Sequence, residues 1–203
     1  MRSARLRGKA AVLVLLLAVL GLSGCAGTLF TSPPPNTYAL LGPADVPVKR
    51  GASTAQILVP APTALKILDS QSVVVMRGAL VAYYPDAQYT DTLPRVVQAR
   101  IIDAFERSHE AHAVGRPGEG LAIDYQIITE IRKFDIRLDG NDRAEVELFV
   151  RVLNDRNGTV RAAKEFTAQA AVSGSGNAAY ASALDAAFRA ASVEIVDWSV
   201  SRF

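Results

Sequence analysis

Several groupings of residues have the types that chemistry needs, and spacing decides what each can do. His109-Glu110-Ala111-His112 has the composition of a zinc-hydrolase motif. That motif requires two residues after the Glu, so that both imidazoles stand at i and i+4 on one helix face. Here the histidines are three apart, and a third ligand would have to be Asp or Glu. A solvated helix end is the expectation, with no metal. Gly174-Ser175-Gly176-Asn177-Ala178-Ala179 matches G-x-G-x-x-A between a strand and a helix. A dinucleotide fold needs a second strand after that helix, carrying an acid about 20 residues on. Glu194 and Asp197 stand near that offset but inside the helix itself, so a flexible loop feeding a helix start is expected, and no cofactor. Asp135, Arg137 and Asp139 alternate with apolar residues, and Glu145 and Glu147 do likewise further on. Such an acid pair does proton transfer only when a cleft holds it. The alternation is that of a solvated sheet face whose charges pair across strands. No G-x-S-x-G elbow and no G-x-x-x-x-G-K-[ST] phosphate loop occurs. The expectation is a protein with no catalytic residues, not an enzyme.

The one cysteine has a more specific setting. Arg2, Arg5, Arg7 and Lys9 precede an unbroken apolar run from Ala10 to Leu20, followed by Leu22-Ser23-Gly24-Cys25. A charged start and a short apolar run make a secretory signal, because a membrane-spanning helix needs roughly 20 apolar residues. An apolar residue, two small residues and a cysteine resemble a bacterial lipobox. The small residues let the backbone lie flat in the peptidase, and the thiol takes a diacylglyceryl group. Residues 1–24 are then signal peptide, and Cys25 is the lipidation site. Each buried acyl CH₂ contributes about 0.8 kcal/mol, so one chain anchors marginally while three hold firmly. With Cys25 acylated no thiol remains for a disulfide. Ala26, in place of Asp, favours the outer membrane by resemblance to bacterial sorting rules.

The chain has 203 residues, 50% hydrophobic and 21% charged, which suits one globular domain. Its formal charge of +2 rests on 22 basic and 20 acidic residues, and the signal holds four of the basic ones. Without it, 18 basic residues face 20 acidic ones, a net of −2. No basic footprint for nucleic acid is left. Residues 25–37 form a tether in which Pro33-Pro34-Pro35 favours extended polyproline II. Its twelve residues after the cysteine reach roughly 40 Å, and one domain, 38–203, follows.

Patterning within that domain alternates. Short strands are expected at Tyr38–Leu41, Gln56–Val59, Ser72–Arg77 and Leu80–Tyr84, with a short helix or turn at Thr63–Asp69. Asp91 or Thr92 caps a helix to about Ser108, with Pro94 in its first turn and Leu93, Val97, Ile101 and Phe105 on one face. The period then becomes two. Leu121, Ile123, Tyr125, Ile127 and Ile131 share one parity, while Phe134, Ile136 and Leu138 share the other. The switch predicts a β-bulge between Ile131 and Phe134. Asp139-Gly140-Asn141-Asp142 turns the chain into Val146–Val152, and Asn157-Gly158 turns it again into Val160–Val172. A last helix runs from Asn177 to about Ser201, with Tyr180, Leu184, Phe188, Ala191, Ile195 and Trp198 in a stripe that packs on the sheet. The expected fold is α+β: two long helices packed on a mostly antiparallel sheet, in a single domain.

The order of features is itself informative. A lipobox and a Pro-containing tether lead into Tyr38-Ala39-Leu40, followed by Ile57-Leu58-Val59-Pro60. Then come Val73-Val74-Val75-Met76-Arg77, Val81-Ala82-Tyr83-Tyr84, and Tyr89-Thr90-Asp91-Thr92-Leu93-Pro94 opening a helix. This order resembles the ABC-type transport auxiliary lipoproteins, the PqiC-like family. The family commonly carries Trp where this chain has Tyr89. The resemblance implies a non-catalytic part of an MCE-type lipid transport system. An MCE-domain protein would be its partner, and a lipid anchor would hold it on the outer-membrane side. Tyr83, Tyr84, Pro85 and Tyr89 are candidate partner contacts, because clustered aromatics near a loop mark interfaces; the other reading puts Tyr83 or Tyr84 into the core and packs Tyr89 on the helix. Two alternatives differ in class: a lipoprotein holding lipid or a small molecule between helix and sheet, and a homo-oligomeric, ring-forming lipoprotein of a secretion system.

Overall fold

The computed structural model describes residues 34–47 and 53–203; the expected signal segment, Cys25 and the tether through Pro33 lie outside the described residues. In chain order the elements are β1 (Asn36–Tyr38), β2 (Gln56–Leu58), β3 (Thr63–Ala64), β4 (Ser72–Arg77), β5 (Leu80–Tyr89), α1 (Leu93–Ser108), β6 (Ala113–Gly115), β7 (Tyr125–Arg137), β8 (Arg143–Asn154), β9 (Thr159–Ala171) and α2 (Asn177–Val200).

The frame is the antiparallel meander β7–β8–β9, as the alternation predicts. In β7, Ile127, Thr129 and Ile131 face the core, and after a register shift between Ile131 and Lys133 so do Phe134 and Ile136. The bulge therefore lies where the parity change requires it. Opposite these residues stand Val152, Val150, Leu148, Val146 and Ala144 of β8, all buried. Full burial of each Val, Leu, Ile or Phe contributes about 1.5–3 kcal/mol.

The sheet as a whole departs from expectation: it is mixed, not mostly antiparallel. The other edge of β7 is shared by three short strands that all run parallel to it, β2 and β3 on its first half and β4 on its second. β1 pairs in parallel with β5, and β2 with β6; β4 and β5 form the remaining antiparallel pair. Parallel neighbours need long crossovers, and the stretch from β4 through α1 to β7 is one. Alternation within a strand records which face is buried and carries nothing about the direction of its neighbour.

Local differences are small. β1 begins two residues before the expected strand, β5 runs on to Tyr89, and β6 was too short to show a period. Thr63–Asp69 is a two-residue strand followed by a turn. Both long helices stand where expected. Thr92 is the N-cap of α1, with Pro94 in its first turn, and His109 ends it in the left-handed conformation at φ 52°. His109 and His112 are exposed, as a solvated helix end requires. Gly176, at φ 83°, precedes α2.

α2 lies across β8 and β9 and touches β7 and α1. Phe188 meets Phe134 at 5.9 Å between ring centres, and Trp198 meets Phe166 edge-on at 5.5 Å. The loop after β1 is pinned to this helix. Asp185 Oδ1 accepts the Leu41 N–H at 2.7 Å and the Gly42 N–H at 3.2 Å, while its Oδ2 lies 2.6 Å from Arg189. Gly42 has φ +71°, and a Cβ there would meet Arg100 at 3.3 Å, so the turn requires glycine. Asp185→Ala should lower unfolding free energy by about 1–3 kcal/mol in denaturant titration. Hydrogen exchange should quicken at the Leu41 and Gly42 amides; unchanged exchange there would show that the loop is held by other contacts.

Candidate interaction surface

Both helices and the apolar core lie on one side of the meander. The other side carries an ionic lattice built by strand register. Asp135 stands opposite Glu145, a like-charge pair, and Lys133 opposite Glu147. Arg137 answers the first pair, its Nε lying 3.0 Å from Asp135 and 3.1 Å from Glu145. Arg143 donates to Glu145 from Nε and Nη2 at 3.1 and 2.8 Å, and Gln169 of β9 adds a third donor at 3.2 Å. Lys133 lies 2.6 Å from Glu147. Arg132, the bulge residue, bridges Glu130 and Glu165 and lies 4.2 Å over the Phe149 ring.

Asp135 is the exceptional member. It is 3% exposed, and its Oδ1 meets Arg137 as an ion pair too bent to be a hydrogen bond. Burial pushes its carboxyl up to about 6, against the pull of Arg137, and the Glu145 charge adds to the rise. Glu147 holds the Lys133 ammonium above its ordinary value through their hydrogen bond. Among the described residues no three His, Cys, Asp or Glu side chains gather to hold a metal ion. Glu145 and Glu147 are matched to cations by hydrogen bonds, whereas Asp135 is buried among them and only partly compensated by Arg137.

Register carries this face onto the β4–β5 hairpin. Val74 stands beside Asp135 and Tyr83, and Met76 beside Arg137 and Val81. Tyr83 is 47% exposed and Val81 is exposed beside it, which gives the lattice an apolar end. The four aromatic-cluster candidates are thus separated. Tyr83 lies on the open face, and Pro85 is exposed. Tyr84 turns to the helix side and meets Tyr180 edge-on at 4.9 Å. Tyr89 is 3% exposed, edge-on to Phe134 at 6.0 Å, and belongs to the core. Burial, with the Asp135 charge second, raises the Tyr89 phenol well above its ordinary value. Val81 and Arg143 each stand two residues from Tyr83 and Glu145 on the same strand and so share their faces, and the register shows that these faces are continuous with one another.

The model of the ABC-type transport auxiliary lipoprotein component matches residues 38–196. The chain belongs to that family. It is 33% identical over 164 residues to the uncharacterized protein bll6063 of Bradyrhizobium diazoefficiens, covering 81% of this chain and 44% of that protein. The chain thus spans less than half the length of that relative. Among solved structures it is similar to protein XCC0632 from Xanthomonas campestris, with a TM-score of 0.76 and 24% identity over 82% of this chain and 96% of that one. The hypothetical protein CT253 from Chlamydia trachomatis gives 0.52 and 11%, over 74% and 98%. These likenesses show the fold, and the family is one of transport auxiliary lipoproteins, as the order of sequence features implied.

Two substitutions separate core from surface here. The Tyr89 hydroxyl is buried without a protein hydrogen-bond partner, so Tyr89→Phe should leave stability within about 1 kcal/mol of wild type or raise it. A larger loss on thermal or denaturant unfolding would mean that the hydroxyl is satisfied. A raised carboxyl stabilises the fold below its unfolded value, and that contribution is lost as pH rises through about 6. Asp135→Asn cannot lose it. The variant should gain on wild type by about 2–3 kcal/mol between pH 4 and 7.5, at about 1.4 kcal/mol per pKa unit. Parallel curves at the two pH values would contradict the raised carboxyl.

Proposed function

We propose that this chain is a non-catalytic, lipid-anchored envelope protein that docks an MCE-type ABC lipid transport system on the outer-membrane side. Its anchor is Cys25, in the lipobox-like Leu22-Ser23-Gly24-Cys25, and its family is one of transport auxiliary lipoproteins. The observation that carries the docking reading is the open sheet face: a matched ionic lattice ending in exposed Val81 and Tyr83. An exposed aromatic and apolar patch bordered by polar groups is where a protein contact gains its binding energy, and here the lattice borders that patch on its β7 side. The space between helices and sheet is filled by Phe105, Phe134, Phe166 and Phe188, all fully buried. That filling favours docking over a lipid held between those layers.

The test is affinity capture of the tagged full chain from its native membranes in mild detergent, with crosslinking and mass spectrometry. Wild type should recover an MCE-domain protein. Tyr83→Lys should reduce the recovery about tenfold, the effect of losing about 1.4 kcal/mol at a contact. Cys25→Ser should move the chain out of the membrane fraction. Recovery of lipid without any transport component would overturn docking and support the carrier reading.

A further inference from the structure

β2 and β7 begin side by side, and β8 ends against the start of β7. A cleft of about 390 Å³ opens at this end of the sheet, with Thr54, Asp124, Tyr125, Asn154, Arg156 and Phe203 in its lining. That volume is in the range of sites for small ligands. The cleft lies outside the helix–sheet layer, at the other end of β7 from Asp135.

Asp124 is its fixed point. The Asp124 N–H donates to the Gln56 carbonyl at 2.9 Å, and its own carbonyl accepts the Asp155 N–H at 2.9 Å. Its Oδ2 accepts the Gln56 N–H at 3.0 Å, and its Oδ1 accepts from Arg156, from Nε at 3.1 Å and also from Nη2. The Gln56 bond first, and Arg156 second, hold this carboxyl below the usual carboxylate range. Asp124 and Arg156 are the charged side chains of the lining, and their charges cancel. A cleft balanced in this way draws neither an anion nor a cation, and it suits a neutral ligand.

The polar groups left over are donors. Asn154 spends its Oδ1 on the Arg156 N–H at 3.0 Å, which turns its amide nitrogen to the other side. Among the described residues, nothing takes up that nitrogen, Arg156 Nη1 or the Thr54 hydroxyl. Tyr125 and Phe203 add an aromatic wall, stacked at 5.2 Å with their planes 18° apart. An acyl chain would cover the donors without pairing them, which is costly. A sugar ring has hydroxyls for a guanidinium fork and an amide, and a face of C–H bonds for an aromatic ring.

We propose that this cleft is a glycan-binding site, holding one neutral sugar unit with its C–H face on the Tyr125–Phe203 wall and its hydroxyls on Arg156, Asn154 and Thr54. Asp124 is a positioning residue, fixing the Arg156 fork so that Nη1 is left to the ligand. A site held in place before the ligand arrives has little ordering to do on binding. It needs no transport partner, so it stands or falls separately from the docking reading.

Saturation-transfer difference NMR on the full chain tests this, in a zwitterionic detergent because a sugar-headed one would compete. The probes are glucose, galactose, mannose and N-acetylglucosamine, with butyrate and ethanolamine as anionic and cationic probes. At least one sugar should bind with a Kd of about 1–10 mM, and more tightly than either ion. Phe203→Ala and Arg156→Gln should each weaken it about tenfold, whereas Phe203→Trp, which keeps an aromatic wall, should stay within about threefold of wild type. That rescue separates loss of the wall from loss of the fold. Four results would overturn the proposal: no signal from any of the sugars, equal sugar binding by wild type and Phe203→Ala, no rescue by Phe203→Trp, or stronger binding of butyrate or ethanolamine.

Discussion

One residue of excess in β7 determines the rest of the molecule. A strand alternates its faces, so a run of thirteen residues can bury one side throughout only while the parity holds. Ile127, Thr129 and Ile131 use one parity and Phe134 and Ile136 the other, and the shift at Arg132 reconciles them. Without it, Phe134 would leave its contacts with Tyr89 and Phe188, and Asp135 would enter the apolar layer. With it, Asp135 joins Arg137 and Glu145 on the open face. The core and the candidate surface are therefore two consequences of the same bulge.

The second constraint joins the start of the described chain to that core. β1 is only three residues long, too short to hold alone, and its ladder with β5 ends at Tyr89, the residue packed on Phe134. Immediately afterwards Asp185 takes two backbone N–H groups from the loop. A carboxylate accepting from two amides makes a charge-assisted clamp. Pull transmitted along the chain toward Asn36 would thus be shared between a strand ladder and a helix, both fixed to the same aromatic cluster.

The sequence disclosed these features unevenly, for physical reasons. Long periodic elements were legible: β4, both helices, the meander and even its bulge follow from alternation, caps and turn residues. Pairing direction was not, because nothing local distinguishes a parallel neighbour from an antiparallel one. The short strands β3 and β6, of two and three residues, are too short for an alternation to stand out. At the candidate surface, alternation sets Tyr83 and Tyr84 on opposite faces, but only packing shows that Tyr84 is the one that meets the helix side and that Tyr89 belongs to the core. Tyr84 and Tyr83 differ by one residue and hence by a whole face, and Tyr89 lies beyond the irregularity at Asp86, where φ is 57°.

The open face also decides where binding strength can arise. A partner covering the lattice must displace water from Arg137, Glu145, Arg143 and Lys133, and removing water from charges is costly unless they are paired beforehand. Here they are, so the cost is moderate, but little attraction is left over for a partner's charges. Net gain has to come from apolar area, and near the lattice that area is Val81 and Tyr83 at its β5 end. On the docking reading proposed above, the lattice would work chiefly as a filter, rejecting partners that place an unmatched charge over Asp135. On that reading, specificity and affinity would be separated along one face, with the first set by β7 and β8 and the second by the hairpin beside them.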